Sequence, residues 1–256
     1  MRRPSATVPS AGQSAAEVLD MRHDIWRRKP LLREIYRRYF AAISGELAPG
    51  RVTIEIGGGS GMAREFLPAA LISDIVGTPH VDFVADAMRL PLRDGGVDNL
   101  FMIDVLHHLP RPWVLFDEAA RVLRPGGRLV MLEPHISPAS RLVFKLAHPE
   151  PVDMSIDPLP QEDAPLFSGG GPFDSNQAIP TLLFRRHAAR FAARFTALRV
   201  GACRLDSVFV YPLSGGFSGP CLIPSWLAGV AWGMERFLRP LARLLAFRLL
   251  VVVERI

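Results

Sequence analysis

Arg51-Val52-Thr53-Ile54-Glu55-Ile56-Gly57-Gly58-Gly59-Ser60-Gly61 decides how this chain folds. Val52, Ile54 and Ile56 are β-branched and recur at every second position, which suits a buried strand on a pleated surface. Glycines then recur at 57, 59 and 61. They allow a sharp turn and leave bare backbone that a ligand can approach. Ser60 to Leu67 can open a helix, whose unbonded N–H groups face whatever lies over the loop. Glu55, near the strand end, is placed to hold hydroxyl or amino groups. Together these features predict a nucleotide-type site at the carboxyl end of a strand; a glycine-rich turn without a ligand is the alternative. A dinucleotide fingerprint needs its third glycine at position 62, where Met62 stands, so a nicotinamide cofactor is disfavoured.

Outward from this stretch, the chain alternates strands and helices. Residues 15–27 and 30–47 read as two leading helices, with Leu31, Leu32, Ile35, Tyr36, Phe40 and Ile43 on one stripe of the second. Leu71 to Ile75, Val81 to Val84, Leu100 to Val105 and Arg128 to Leu132 read as strands two to five, the last entered through Pro125-Gly126-Gly127. Arg111 to Leu123 reads as a helix, as does 179–194; 205–211 and 249–254 read as strands, with an apolar, Arg-rich helical region at 223–246. Acidic residues fall at strand carboxyl ends. This order predicts an α/β fold, a Rossmann-like doubly wound sheet. Residues 149–177, rich in Pro, Gly and Asp, are too long for a plain connection and read as a lid or binding loop, or a disordered patch.

Composition narrows the class. With 49% apolar and 21% charged residues in 256, the chain is long and apolar enough for one α/β domain with decoration, expected to run from 14 to 256 behind a disordered tail at 1–13. All basic residues except Lys29 and Lys145 are arginine, a skew typical of GC-rich bacterial genomes. The net charge of +5 suits anionic substrates or membrane surfaces, but no aromatic-interleaved basic tract is present, which argues against nucleic acid as substrate. Cys203 and Cys221 have no metal or redox spacing and read as free buried thiols. The N-terminus has no apolar core of a signal peptide, and no run reaches the roughly 18–20 apolar residues of a membrane span. A cytoplasmic location is the expectation.

Several spaced motifs now converge. Glu55-x-Gly57-x-Gly59-x-Gly61 resembles the first motif of class I S-adenosylmethionine (SAM) dependent methyltransferases. Asp74 lies where that family's second strand ends in an acidic residue. Asp86-Ala87-Met88-Arg89-Leu90-Pro91, Asp104-Val105-Leu106-His107-His108-Leu109 and Glu118 through Gly127 resemble later motifs in the right order. The resemblance is close over about residues 50–135. More narrowly the chain resembles type 11-like members from bacterial biosynthetic clusters, on Ile72-Ser73-Asp74-Ile75, His148-Pro149-Glu150-Pro151, Asn176-Gln177-Ala178-Ile179-Pro180 and Leu213-Ser214-Gly215-Gly216.

The resemblance implies a seven-stranded sheet with N-terminal helices (14–48), a cofactor-binding core (50–135), and C-terminal insertions at 136–180 and 212–246 that cap the substrate. It implies SAM as cofactor, with S-adenosylhomocysteine as product. Glu55, Gly57, Gly58, Gly59 and Gly61 would form the loop site, Asp74 would take the ribose diol, and Asp86 with Ala87 and Met88 would cradle adenine. Backbone at Asp104 and Val105 would meet the methionine moiety. Tyr36 and Tyr39 are candidates for substrate contact, with core packing the favoured role for each; Glu133 and His135 are further candidates.

Methyl transfer needs in-line alignment and, for some acceptors, a base. His107 is the first candidate base, then His148, with His108 also possible; a nitrogen or thiolate nucleophile needs none. Adjacent histidines seldom point the same way and no Cys/His spacing supports zinc, so no metal is expected. Asp104-Val105-Leu106-His107 stands where nucleic-acid amino methylases carry Asn-Pro-Pro-Tyr, which favours a small-molecule acceptor; the biosynthetic-cluster resemblance implies one of bacterial specialised metabolism. A non-catalytic SAM-fold scaffold is the rival reading. Finally, Arg236, Arg239, Arg243 and Arg248 interrupt an apolar run with Trp226 and Trp232 at 225–248. A helix capping the sheet is the favoured account, a peripheral membrane contact the alternative. The oligomeric state is not legible.

Overall fold

The computed structural model describes residues 13–147, 150–167, 171 and 173–256. The tail expected at 1–13 therefore lies, but for Gln13, outside the described residues, as does His148. Two helices lead: α1 (Ala15–Arg28) and α2 (Pro30–Ser44). Ser14 and Glu17 close a capping box on α1, satisfying two N–H groups the helix leaves unbonded. Pro30 ends one helix and starts the next, because its ring fixes φ and it has no N–H to lose at a first turn.

The core elements are β1 (Thr53–Ile56), α3 (Ala63–Phe66), β2 (Leu71–Asp74), β3 (Phe83–Val84), β4 (Val97–Ile103), α4 (Pro112–Val122), β5 (Leu123–Pro134), α5 (Pro138–Ala147), β6 (Leu198–Asp206) and β7 (Arg248–Arg255). They form one seven-stranded sheet in the order β3-β2-β1-β4-β5-β7-β6. Strands β1 to β5 are parallel, while β7 runs antiparallel to both β5 and β6. The order reverses between β1 and β4, which opens a crevice at their carboxyl ends.

Period-two alternation sorts the core. Ile54, Leu100, Met102, Leu129, Met131 and Val251 pack on the face covered by α4 and residues 179–195. Ile72, Phe101, Val130, Leu132 and Val252 pack on the other, under α2. Buried Asn99 ties the strands to the end of the leading helices: its amide accepts from Ala48 N at 2.7 Å and donates to Ala48 O at 2.9 Å.

Three local expectations change. The sixth strand lies at 198–206, not 205–211; it pairs with β7 and stops at Ser207, whose φ is +53°. Residues 210–213 then form one helical turn. The helix expected over 179–194 is broken by a wider-wound turn at 182–186. Cys221 is exposed and Cys203 only half-buried, so the thiols are free but not both buried. Among the described residues, no helix is long and apolar enough to cross a membrane.

Candidate active site

The crevice holds two adjoining cavities. The larger, about 470 Å³, runs along the β1–β2–β3 ends and is walled by Asp74, Asp86, Ala87, Met88, Val105 and Phe173 among others. The second lies over the ends of β1 and β4 and the start of β7, against Tyr36, Glu55, Gly58, His107, Glu150 and Arg248. Leu19, Arg22, Gly57, Asp104 and His108 belong to both walls. Two ligands bound side by side would therefore meet at one boundary.

The loop after β1 takes its shape from its glycines. Gly57 sits at φ +74°, a conformation side chains with a Cβ disfavour. At Gly59 a Cβ would stand 2.6 Å from Asp74 Oδ2 and from Leu19 Cδ1, so any other residue must displace one of these side chains or the loop itself. The Gly59 N–H donates to Asp74 Oδ2 at 2.8 Å and Val76 N–H to Oδ1 at 2.8 Å. Asp86 is fixed likewise, accepting from Met88 N–H at 2.8 Å. Helix α1 closes the loop from above: His23 Nδ1 donates to Ser60 O at 2.7 Å, and the His23 ring stacks on His80. Arg22, one residue earlier, lies over the rings of Phe173 and Phe217.

Glu55 is buried, and its Oε2 has no hydrogen-bond partner. Burial, reinforced by the charge of Asp74, pushes its pKa up to about 8. At neutral pH it is a carboxylic acid with an unused polar atom at the cavity wall. Such an atom is costly unless a ligand completes it. This is the observation that fits a polar ligand, one bearing hydroxyl or amino groups, at this loop.

Beyond β4 the chain makes a tight turn. Asp104 adopts φ +58°, and its carboxylate is bound by both terminal guanidinium nitrogens of buried Arg248, the Nη2 contact at 2.9 Å. Arg248 also lies 4.3 Å from the Tyr211 ring centroid and 5.7 Å from that of Tyr39. Burial pulls the guanidinium pKa down, but Asp104 and the two tyrosines outweigh it and hold it well above the ordinary value.

The next turn is tied to β5. Glu133, fully buried, accepts from the N–H groups of Val105 and Leu106 through Oε1, both at 2.9 Å, and meets His107 Nδ1 through Oε2 at 2.8 Å. His107 Nε2 faces Glu150 Oε2 at 3.5 Å, and Gln177 Nε2 donates to Glu150 from the far side. Burial alone would depress the His107 pKa, yet hydrogen bonds to Glu133 and Glu150 raise it to about 10. Both His107 nitrogens thus face carboxylates, and its raised pKa favours the protonated form over the free base expected of it. His108 is the opposite case. Burial, then the charge on His107, lowers its pKa to about 4. Its Nδ1 lies 3.0 Å from Asp174 O, a carbonyl that can only accept, so Nδ1 carries the proton and Nε2 the lone pair.

The remaining expected residues fall less directly. Tyr36 lines the second cavity, whereas Tyr39 is buried with its hydroxyl on Ser207 Oγ at 2.7 Å. Glu133 and His135 line neither cavity; His135 sits 3.2 Å from Thr181 Oγ1. Donor atoms of His107, His108 and Glu150 lie within 4.8 Å of one another, as do those of Asp104, His107 and Glu133. Both sets contain His107, whose two nitrogens face Glu133 and Glu150. Arg248, Glu150, Gln177 and Arg22 carried no site role in the sequence reading. The signals were present: an arginine opening an otherwise apolar strand, and two polar motifs of unassigned purpose in the cap.

Comparison with known proteins bears on the same region. Residues 62–131 match the model of a methyltransferase domain. Over that segment the chain matches a methyltransferase domain, and its sheet has the class I fold. Over 136 residues it is 33% identical to an uncharacterized methyltransferase of Mycobacterium avium (strain 104), covering 47% of this chain and 48% of the relative. A 27-O-demethylrifamycin SV methyltransferase of Amycolatopsis mediterranei (strain S699) is 51% identical over 47 residues, 18% of this chain and 17% of that one. The chain thus spans about half the length of the first relatives it matches and less of others. A SAM-dependent methyltransferase from Archaeoglobus fulgidus superposes with a TM-score of 0.53 at 13% identity, over 88% of this chain and 94% of that one, a likeness of fold. In this methyltransferase domain the matched segment holds β2 to β4 and most of β5, and so the floor of the larger cavity.

Proposed function

We propose that this chain is a SAM-dependent methyltransferase that transfers a methyl group to an oxygen, nitrogen or carbon of a small-molecule metabolite in bacterial specialised metabolism. One observation carries the reading: two cavities of different character that share Gly57, Asp104 and His108. The relative whose name specifies demethylrifamycin supports a small-molecule acceptor. SAM supplies, when bound, a methyl group on a positively charged sulfur.

The residues of the larger cavity suit that cofactor. Asp74 is oriented by two backbone N–H groups and offers its carboxylate to a ribose diol. Asp86 offers an acceptor to an adenine amine beside the free backbone of Ala87. Glu55, on the adjoining second cavity beside the shared Gly57, is placed for the amino-acid end of the ligand. Methyl transfer then depends on aligning the acceptor across the shared wall. At that wall the Asp104 carboxylate is engaged by Arg248 while His108 keeps a lone pair on Nε2, and we assign His108 the proton-accepting role for hydroxyl acceptors. Its low basicity suits an acceptor that loses its proton only as the new bond forms. His107, Glu133 and Gln177 are positioning residues: they hold the Glu150 carboxylate in the second cavity, where it can bind a polar group of the acceptor.

The test is calorimetric titration with S-adenosylhomocysteine, NADH serving as control, followed by an acceptor screen with methyl-labelled SAM. Micromolar binding of the first and none of the second is expected. Binding of neither, or of NADH alone, would overturn the reading.

A further inference from the structure

The C-terminal cap presents an unusual surface. Trp226 is 78% exposed, Phe237 77% and Leu146 75%. Leu222, Val230, Leu244 and Leu142 are each more than half exposed. By helical spacing Trp226, Val230, Phe237, Leu241 and Leu244 fall on one side of the run 225–245. Its last turn packs against α5, which adds Leu142 and Leu146. A soluble monomer seldom leaves so many large apolar side chains together in water.

Charge indicates what covers this face. Arg236, Arg239 and Arg243 recur along one flank, and Arg141 and Lys145 are exposed on α5. Among the described residues none of the five is ion-paired with a carboxylate. The single acidic residue between 207 and 253 is Glu235, and it points inward, accepting from the N–H groups of Val208, Phe209 and Val210. Exposed aromatic and aliphatic side chains edged by unpaired cations, on short helical pieces broken at Pro240, match an element that lies in the plane of a bilayer.

We propose that residues 222–245 and the outer face of α5 form a docking surface for an anionic lipid bilayer. The inference concerns this surface and does not depend on the reaction at the cavities. The two are nevertheless neighbours, because Phe144 of α5 and Phe217, just before the run, line the second cavity. A membrane-held protein would therefore present its acceptor side close to the lipid.

The test is flotation of the full chain with phosphatidylcholine vesicles, with and without phosphatidylglycerol. Binding is expected to the anionic vesicles alone and to weaken with added salt. R236E/R239E/R243E should weaken it more than about a hundredfold, since loss of three basic residues at about 1 kcal/mol each, with roughly a tenfold loss for each 1.4 kcal/mol, already gives that factor before the added repulsion. W226S/F237S should weaken it too, since it removes the inserted apolar groups. All five positions are exposed, and thermal melts check that both variants fold; Arg→Gln replacements stand in if charge reversal perturbs folding. A wild-type chain that stays with the soluble fraction overturns the proposal, as does binding that both variants retain. A homodimer by light scattering that W226S/F237S dissociates, without vesicle binding, assigns the face to a second copy instead.

Discussion

Glu133→Gln separates the buried charge at His107 from the shape around it. The amide keeps an oxygen to accept from Val105 and Leu106 N–H, while the group facing His107 changes from carboxylate to amide. The His107 pKa, raised to about 10 from 6.5, differs from its unfolded value by about 3.5 units, or on the order of 5 kcal/mol at 1.36 kcal/mol per unit. The sign follows from the raised value: the folded state holds this proton more tightly. Its contribution is fully present below about pH 6.5 and is lost as pH rises towards 10. Glu133 is the closer of the two carboxylates, so its neutralisation should remove a few kcal/mol, on the order of half the effect, at pH 6 and nearly nothing at pH 10. Glu55 titrates in the same direction, lowering stability as pH rises from about 4.5 to 8, but it does so in both proteins. The difference between wild type and variant in urea unfolding, measured at half-unit steps from pH 5.5 to 10, therefore isolates His107. A difference that stays flat across that range would show that no imidazolium is held there, and the argument would fail.

Three further outcomes follow from named contacts. Gly59→Val should weaken S-adenosylhomocysteine binding by more than about a hundredfold, because its branched side chain must displace Asp74 or Leu19; affinity within threefold of wild type would misplace the ligand. His108→Gln should lower the rate with hydroxyl acceptors at least tenfold while leaving S-adenosylhomocysteine affinity unchanged. It should also flatten the acid limb of the stability profile, since a folded pKa depressed to about 4 makes the wild type lose stability as pH falls from 6.5 towards 4. Asn99→Leu should cost about 2–4 kcal/mol in urea unfolding by orphaning the backbone N–H and C=O of Ala48; a loss below about 1 kcal/mol would mean that Ala48 finds other partners.

The parts of the fold that follow from local chemistry were legible in the chain. The β-branched run before Gly57, the apolar runs of β4 and β7 and the break near Pro30 give elements at their observed places within a few residues. β6 was displaced because Leu198 to Asp206 mixes arginines, Gly201 and small residues; its strand state comes from pairing along β7. The helix at 179–194 was read as continuous because periodicity carries no signal for a single wider turn.

The candidate site divides along the same line. The sequence alone determined the glycine loop, the acidic residues at the strand ends and the presence of two adjacent histidines, since each is a local pattern with a local physical cause. Only the tertiary structure decided what those histidines are. It placed Glu133 and Glu150 on the two nitrogens of His107, a backbone carbonyl on His108, and Arg248 on Asp104 across 144 residues. A side chain's charge depends on its burial and on neighbours brought from distant parts of the chain, and no stretch of sequence carries that information by itself.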